Sequence, residues 1–402
     1  MKNVYLDYAA TTPMAPEVIK ELNKHFKDSF GNASSLHNYG QKALKVLQHS
    51  RETIASFINA ERDEIFFTSS GTESNNIAIK GIAFKNQKRG NHIITSKIEH
   101  HAILHPCQYL EKHGFNVTYL DVDKYGLIDL EQLKSSITDE TILISIMFAN
   151  NEIGTIEPIE EIGEIAKKHN ILFHTDAVQA FGKLPIDVKE MNIDLLSASA
   201  HKIYGPKGVG SLYIKGGGIK KGMGKYIEPL LHGGGHERGL RSGTENVPGI
   251  AGFAKAVELC KQKMKEEAQR LTYFRIKIIN AIIENIEDSY LNGHLIKRLP
   301  NNINVGFRYI EGESIVLSLD LEGIAVSTGS ACSSKSLEPS HVLLAIGQRP
   351  EEAHGSLRIT LGRFTTEEEV NYFLEKIPSI IKRLRKISPL KKGVKYLYEN
   401  TH

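Results

Sequence analysis

The chain of 402 residues has a formal net charge of +3 at neutral pH; 41% of its residues are hydrophobic and 24% are charged. This composition is typical of a globular protein with one large and one smaller domain, and it argues against nucleic-acid binding through a broad basic surface. The first ten residues lack the apolar core of a signal peptide, and no window reaches the length of a membrane helix. We therefore expect a cytoplasmic protein that binds neither membranes nor nucleic acids directly.

Short apolar runs alternate with segments of helical periodicity between residues 64 and 213. The runs are residues 65–67, 92–94, 117–120, 142–148, 171–173 and 195–196. A helical pattern such as that of residues 160–170 separates several of them. This alternation predicts an α/β fold with a mostly parallel sheet covered by helices. Because ligands bind beyond the carboxyl ends of the strands in such sheets, the residues after each run are the candidate site.

A long helical pattern from about residue 248 to residue 286 leads into the C-terminal part of the chain. Short strand patterns at residues 303–307 and 357–361 are mixed with helices there. We predict a large domain of residues 14–260, and a smaller α+β domain formed by residues 1–13 and 261–402.

The residues after the first apolar run combine hydroxyl side chains with a glycine at the start of a helical pattern. Gly71 and Thr72 lie in this segment, which spans residues 68–76. Free backbone N–H groups at a helix start bind anions, so the segment is a candidate phosphate site. A plain helix cap is the alternative, because Ser and Thr are common caps.

Polar side chains also follow each of the later runs. A buried carboxylate such as Asp176 would keep the nitrogen of a pyridine ring protonated, and Lys202 could form a Schiff base. The flat side chain of His100 could stack on the ring, and the amides of Asn151 and Gln179 could bind its oxygen. These side chains together suit pyridoxal phosphate, although each alone has an ordinary structural explanation as a cap, a turn residue or a satisfied histidine.

A metal site is not predicted from these residues. His100, His101 and His105 are close in sequence, but no carboxylate or thiolate joins them at a spacing typical of metal ligands.

The three cysteines differ in their neighbours. Cys107 and Cys260 lie on apolar faces of helical patterns, so we expect both to be core residues. Cys332 lies among small polar residues, without a large apolar residue within four positions, which predicts an exposed loop. Lys335 nearby could lower the pKa of the thiol, and we interpret Cys332 as a reactive cysteine. The odd cysteine count and the absence of a Cys-x-x-Cys motif argue against a disulfide framework and a thiolate zinc site.

Two further segments are candidates for anion binding. Arg358 lies in a strand-like apolar run, where its partner could be a substrate carboxylate or an internal acidic residue; the local sequence does not decide between them. The glycine-rich segment 233–244 could complete a phosphate site within this chain or across a dimer. Its glycines do not fit the spacing of a dinucleotide-binding motif.

Taken together, these motifs resemble the NifS/IscS cysteine desulfurases, in the class V branch of the fold type I pyridoxal-phosphate enzymes. The resemblance runs from residues 4–13 to about residue 362. Its most specific parts are residues 199–202, 232–244 and 330–334. It implies a seven-stranded, mostly parallel sheet in the large domain, a homodimer, and removal of sulfur from L-cysteine to give L-alanine and an enzyme-bound persulfide.

The resemblance also implies the roles of individual residues in catalysis. Lys202 would form the Schiff base, and Asp176 would pair with the pyridinium nitrogen. His100 would stack on the ring and assist proton transfer. Arg358, with Asn151, would bind the substrate, and Cys332 would carry the persulfide.

The remaining residues implied by the resemblance would bind the cofactor. Asn151 and Gln179 would contact the ring oxygen, and Thr244 would reach in from the second subunit. The phosphate region would be held by Gly71, Thr72, Ser199, Ala200 and His201.

The resemblance further implies a sulfur acceptor, either an iron–sulfur scaffold protein or a tRNA thiolation system, with Cys332 as a candidate transient ligand of an iron–sulfur cluster. A selenocysteine lyase and another class V aminotransferase-type enzyme are the alternatives. A non-catalytic scaffold with the same fold is disfavoured, because Lys202 and Asp176 are both present.

Overall fold

The computed structural model describes residues 3–217, 222–328 and 338–389. The strands in this part of the chain are β1 (Val4–Tyr5), β2 (Ile65–Thr68), β3 (His92–Ser96), β4 (Asn116–Leu120), β5 (Thr141–Ser145), β6 (Leu172–Asp176), β7 (Leu195–Ser199), β8 (Gly210–Ile214), β9 (Ser289–Leu291), β10 (Asn302–Phe307), β11 (Ile324–Ala325) and β12 (Ser356–Thr360). The helices are α1 (Pro16–Asp28), α2 (Asn38–Phe57), α3 (Gly71–Asn86), α4 (His101–Glu111), α5 (Leu130–Ser135), α6 (Ile159–Lys168), α7 (Val247–Asn285), α8 (Gly312–Asp320), α9 (His341–Ala345), α10 (Pro350–Ala353) and α11 (Glu367–Ile387).

A seven-stranded sheet forms the centre of the fold, with the strand order β2-β8-β7-β6-β5-β3-β4. β8 is antiparallel to both of its neighbours, and the pairs from β7 to β4 are parallel. The predicted α/β fold with a mostly parallel sheet is therefore confirmed. The predicted runs did not include β8, although residues 211–214 contain three bulky apolar side chains.

One predicted run is longer than the strand it marks. β5 ends at Ser145, whereas the apolar run continues to Phe148. The backbone N–H groups of Ile146 and Phe148 still donate to the carbonyls of His174 and Asp176, so the chain follows β6 beyond the regular ladder.

Adjacent residues of the central strands pack on opposite faces of the sheet, as the pleat of a strand requires. Phe66, Ile93 and Leu143 belong to a core with α3 and α4. Their neighbours Phe67, Ile94 and Ile144 belong to the larger core with α1, α2 and α7. Burial on both faces explains why these strands are apolar runs rather than alternating patterns.

A separate hydrophobic cluster surrounds the antiparallel sheet β12-β10-β9. It contains the second half of α7, α8 and α11, together with Val4 and Leu6 from the N-terminus. β1 adds to this region by pairing in parallel with β11. The single helix α7 contributes to both large cores, with residues 247–260 in one and residues 271–282 in the other. The division into domains at residue 260 stays a prediction.

No helix in the described part of the chain is long and apolar enough to cross a membrane.

Candidate active site

A cavity of about 260 Å³ opens beyond the carboxyl ends of β5, β6 and β7, next to the start of α3. Ten of the residues predicted from the sequence line it. They are Gly71, Thr72, His100, Asn151, Asp176, Gln179, Ser199, His201, Lys202 and Arg358. The structure thus brings together side chains that are up to 287 positions apart in the chain (358 − 71).

Asp176 ends β6 and is almost completely buried at the cavity. Its Oδ2 accepts a hydrogen bond of 2.6 Å from Nδ2 of Asn75, and its Oδ1 accepts one of 2.9 Å from the backbone N–H of Val178. These two donors fix the orientation of the carboxylate. Oδ1 of Asn75 is buried without a hydrogen-bond partner among the described residues.

Lys202 follows β7 in a short 3₁₀ turn, residues 200–202. Its Nζ donates hydrogen bonds to the carbonyl oxygens of Ala9 (2.6 Å) and Ala10 (2.8 Å). The Ala9 carbonyl also accepts a 3.0 Å bond from Nε2 of Gln179. The N-terminal segment therefore forms one wall of the cavity and holds the lysine that the sequence predicts as the Schiff-base residue.

Two histidines face the cavity in their neutral form. His100 caps α4, and its Nδ1 accepts a hydrogen bond of 3.0 Å from the backbone N–H of Ala102, so the proton of the neutral ring lies on Nε2. Burial lowers the pKa of His100, with Asp176 opposing this effect and Lys202 reinforcing it. Burial and the neighbouring Lys202 lower the pKa of His201 to about 4. Nδ1 of His201 lies 3.1 Å from Oγ1 of Thr11.

The N-terminus of α3 forms the opposite end of the cavity. Ser70 caps this helix by accepting a hydrogen bond from the N–H of Glu73, so the predicted cap is present. Gly71 approaches Val178 closely: a Cβ atom on Gly71 would lie 2.5 Å from Cγ2 of Val178. The free N–H groups of the first helical turn can bind an anion, with no side chain on Gly71 to obstruct it.

Arg358 of β12 combines the two environments considered from its sequence. Its guanidinium is almost fully buried and makes a 3.0 Å ion pair with Asp7 through Nη2. Nη1 donates to the carbonyl of Asn151 at 3.2 Å, and Nε has no partner among the described residues. Arg358 thus has an internal acidic partner and also lines the cavity, where a guanidinium can bind a carboxylate.

Three of the predicted residues are not among those that line the cavity. Ala200 is fully buried beneath it, and Thr244 is exposed. Cys332 lies outside the described residues. The expectation that Cys107 and Cys260 are core residues is confirmed, since both are buried.

His101 and His105 do not join the cavity, although His100 precedes them. Their rings stack on each other with centroids 4.7 Å apart, and the ring of His341 lies 4.8 Å from that of His101. Within residues 3–217, 222–328 and 338–389, no group of three acidic, histidine or cysteine side chains could hold a metal ion.

The side chains present fit pyridoxal phosphate. This cofactor requires a buried carboxylate next to its ring nitrogen, a lysine that can form the Schiff base, and an anion site for its phosphate, such as a helix start. Asp176, Lys202 and Gly71 supply these features around one cavity, and the unpartnered Oδ1 of Asn75 leaves a polar atom available beside the carboxylate.

Several cavity residues were not found from the sequence. Ala9 and Ala10 contribute backbone carbonyls, which leave no signal in residue type. Asn75 was visible within segment 68–76, but its contact with Asp176 spans 101 positions. Asp7 lies in the segment that carries the family resemblance, and a search for the acidic partner of Arg358 could have identified it.

Comparisons with known proteins agree with this geometry. The family model described as aminotransferase class-V matches residues 4–373. The chain is 58% identical over 391 residues to a cysteine desulfurase IscS of Clostridium botulinum (strain Hall), covering 97% of each chain. A solved structure described as a NifS-like protein aligns with a TM-score of 0.88 at 41% identity, over 95% of this chain and all of that chain. A structure described as SspA in complex with cysteine aligns with a TM-score of 0.79 at 42% identity, over 90% of this chain and all of that chain.

Proposed function

The chain belongs to the class V aminotransferase family and is a cysteine desulfurase that uses pyridoxal phosphate, and we propose that the cavity around Lys202 is its active site. The observation that carries this proposal is the convergence of Lys202, Asp176 and Arg358 on one cavity. An amine, a carboxylate and a guanidinium are the groups needed to hold the cofactor and an amino-acid substrate together.

In this proposal, four groups of residues hold the cofactor. Asp176 keeps the ring nitrogen protonated, and Asn75 and the N–H of Val178 hold its carboxylate in place. His100, which lines the cavity, would lie against the ring. The start of α3, with Gly71 and Thr72, holds the phosphate together with Ser199 and His201, and Gln179 and Asn151 contact the ring oxygen.

Pyridoxal phosphate, when bound, supplies an electron sink that weakens the bond between Cβ and sulfur of the substrate cysteine. Arg358 binds the substrate carboxylate through its buried guanidinium, with Asn151 beside it. The amine of Lys202 takes the proton from Cα of the substrate, and the neutral ring of His100 assists proton transfer. The carbonyls of Ala9 and Ala10 orient the lysine for this step.

Cys332 is the proposed sulfur acceptor. Its thiolate attacks the sulfur of the substrate, so that an S–S bond forms while the Cβ–S bond breaks, and alanine remains as the second product. The other two cysteines support this assignment, because burial raises the pKa of the Cys260 thiol to about 11 and keeps that of Cys107 well above its usual range. Buried thiols of this kind are poor nucleophiles.

The second subunit and the sulfur acceptor are proposed from the family resemblance. We propose a homodimer in which Thr244 of a second copy contacts the phosphate, since Thr244 is exposed in the isolated chain. The persulfide would then pass to an iron–sulfur scaffold protein or to a tRNA thiolation system in the cytoplasm.

The test is the visible spectrum and product balance of the purified enzyme. We expect cofactor absorbance that changes when L-cysteine is added, with sulfide and alanine released in equal amounts in the presence of a thiol reductant. Lys202→Ala should lose the absorbance of lysine-linked cofactor, whereas Lys207→Ala, at an exposed neighbour, should keep it.

The role of Cys332 needs its own variant. Cys332→Ala should bind the cofactor and L-cysteine with the same spectral change, yet release no sulfide. Cys260→Ala, which also removes a thiol, should retain turnover. Normal sulfide release from Cys332→Ala would refute the persulfide step. If the enzyme released alanine from L-selenocysteine but not from L-cysteine, it would instead be a selenocysteine lyase.

A further inference from the structure

Glu152 occupies an unusual position next to the cavity. It follows Asn151, which lines the cavity, and its own side chain is buried outside it. Oδ1 of Asn150 accepts hydrogen bonds from the N–H groups of Glu152 (2.8 Å) and Ile153 (3.0 Å). These two hydrogen bonds hold the turn at residues 150–153, which carries the buried carboxyl group of Glu152 next to the cavity wall.

The contacts of Glu152 connect three parts of the chain. Its Oε2 accepts a 2.6 Å hydrogen bond from the hydroxyl of Ser340, the buried cap of α9. Its backbone carbonyl accepts hydrogen bonds from the side-chain amides of Asn302 (3.2 Å) and Asn304 (3.1 Å) on β10. A carboxyl group is not needed to cap α9, since Ser340 already does so by accepting from the N–H of Leu343.

Arg358 lies at the same junction. Its Nη1 donates to the carbonyl of Asn151, and its charge acts on the carboxyl group of Glu152. The backbone of Arg358 exchanges two hydrogen bonds with Ser327, at 3.1 and 2.7 Å. The two proposed substrate-binding residues are thus each linked to a serine outside the cavity. Arg358 is bonded to Ser327, and Asn151 is followed by Glu152, which is bonded to Ser340.

We propose that Glu152 is a positioning residue that ties Asn151 and Arg358 of the cavity to Ser340 at the start of α9. The role extends the proposed function and rests on it, because Arg358 is taken there as the group that binds the substrate carboxylate. Glu152 acts through its neighbours and contacts neither substrate nor cofactor.

The charge of Glu152 gives this role a measurable signature. Burial raises the pKa of Glu152 to about 7, against the hydrogen bond from Ser340 and the positive charge of Arg358. Asn302 and Asn304 on β10, which donate to the backbone carbonyl of Glu152, are neutral. Above pH 7 the carboxylate accepts from Ser340 and attracts Arg358; as the pH falls through 7, the carboxyl group is protonated and the attraction to Arg358 is lost.

The pH dependence of kcat/KM for L-cysteine tests the proposal in the full-length, cofactor-loaded enzyme. Glu152→Gln keeps an acceptor oxygen for Ser340 and removes the charge. We expect kcat/KM of this variant to be close to that of the original enzyme at pH 6 and roughly tenfold lower at pH 8, mainly through KM. A ratio that stays constant between pH 6 and pH 8 would overturn the role.

Ser340→Ala provides a second variant, which remains informative should Glu152→Gln fold poorly. It keeps Glu152 but removes the hydroxyl, so kcat/KM at pH 8 should fall, and the double variant should lose less than the sum of the two single effects. Thr366→Ala removes the cap of α11 without any contact to Glu152 and controls for helix capping. Strict additivity would contradict the coupling.

These outcomes differ from a failure of the proposed function. If the original enzyme released no alanine from L-cysteine, the proposed function would be wrong. If it did so and the Glu152 and Ser340 variants matched the Thr366→Ala control, only the positioning role would be wrong.

Discussion

Asp7 holds the guanidinium of Arg358 at the wall of the cavity. The ion pair is 3.0 Å long, and the guanidinium is 3% exposed whereas the carboxylate is 18% exposed. Removing one partner from a buried pair leaves the other charge uncompensated, so the position of Arg358 depends on Asp7. The hydroxyl of Tyr5 donates to the carbonyl of Asp7 at 3.0 Å and stabilises this part of the N-terminal segment.

We predict that Asp7→Ala raises KM for L-cysteine by at least about tenfold, because an unheld guanidinium no longer presents its donors to the substrate carboxylate. Asp7→Asn keeps an acceptor oxygen and should recover part of the loss. Steady-state kinetics with alanine as the measured product separates KM from kcat. An unchanged KM in Asp7→Ala would show that Arg358 keeps its position without Asp7.

At the residue scale, charged and aromatic side chains at strand ends were predictable, and backbone atoms were not. Lys202 and Asp176 were candidates because they follow apolar runs together with other polar side chains, a combination that suits pyridoxal phosphate although each residue alone has an ordinary structural explanation. Ala9 and Ala10 contribute only backbone carbonyl oxygens to the hydrogen bonds with Lys202. Almost any residue type has such a carbonyl, so the residue type gives no signal. Contacts between the N-terminus and residue 202 also depend on the folded topology, which local patterns do not contain.

The start of α3 determines the shape of the anion site. Here the helix begins directly after β2, and Gly71 at its first position packs against Val178 from the loop after β6. Since a Cβ at this position would lie 2.5 Å from Cγ2 of Val178, a side chain there requires the helix start or Val178 to move. In the proposed site, such a shift would misplace the N–H groups of the helix start that bind the phosphate.

We predict that Gly71→Ala weakens binding of pyridoxal phosphate by roughly tenfold, although alanine is the better helix former. Titration of the cofactor-free protein with pyridoxal phosphate, followed by absorbance, measures the change. Asn76→Ala is a suitable control, because it alters the same helix turn through its bond to the Thr72 carbonyl without entering the cavity. Equal affinities for Gly71→Ala and the control would disprove the steric argument.

At the element scale, the apolar runs located β2, β3, β5, β6 and β7 because strands buried on both faces have no polar alternation. The run at residues 117–120 also located the edge strand β4, of which only Leu120 is buried. β8 was missed: it lies close behind β7 in sequence and pairs with it in the opposite direction, whereas the predicted pattern was one of parallel strands separated by helices. The end of β5 was placed too late, because Ile146 to Phe148 remain buried after the regular ladder ends.

The proposed active-site residues of the molecule are distributed between two large hydrophobic cores. Asp176 ends β6 and Lys202 follows β7, two strands that contribute Phe173 and Leu196 to the larger core. Arg358 lies on β12 in the core around the antiparallel sheet. The N-terminal segment joins both, since Leu6 is fully buried in the second core and Ala9 and Ala10 reach Lys202. The grouping of residues 1–13 with residues 261–402 stays a prediction: Val4 and Leu6 pack in the second core, whereas Tyr8 packs in the larger one.

This arrangement predicts that packing of the second core affects substrate binding where the N-terminal segment carries Asp7 to Arg358. Leu6→Ala should lower the free energy of unfolding by about 2–5 kcal/mol, as expected for a leucine with no exposed surface. It should also raise KM for L-cysteine, because Asp7 follows directly and loses its fixed position against Arg358. Urea unfolding measures the first effect, and kinetics at a temperature where the protein is folded measures the second.

Leu319→Ala is the matched control, because Leu319 on α8 is also fully buried in the second core and lies far from the N-terminus in sequence. It should cost a similar free energy of unfolding while leaving KM unchanged. Equal increases of KM in the two variants would contradict this prediction, because the second core would then affect the substrate site as a whole and not through the N-terminal segment. A KM effect confined to Leu6→Ala would instead identify residues 4–10 as the connection through which that core positions the substrate site.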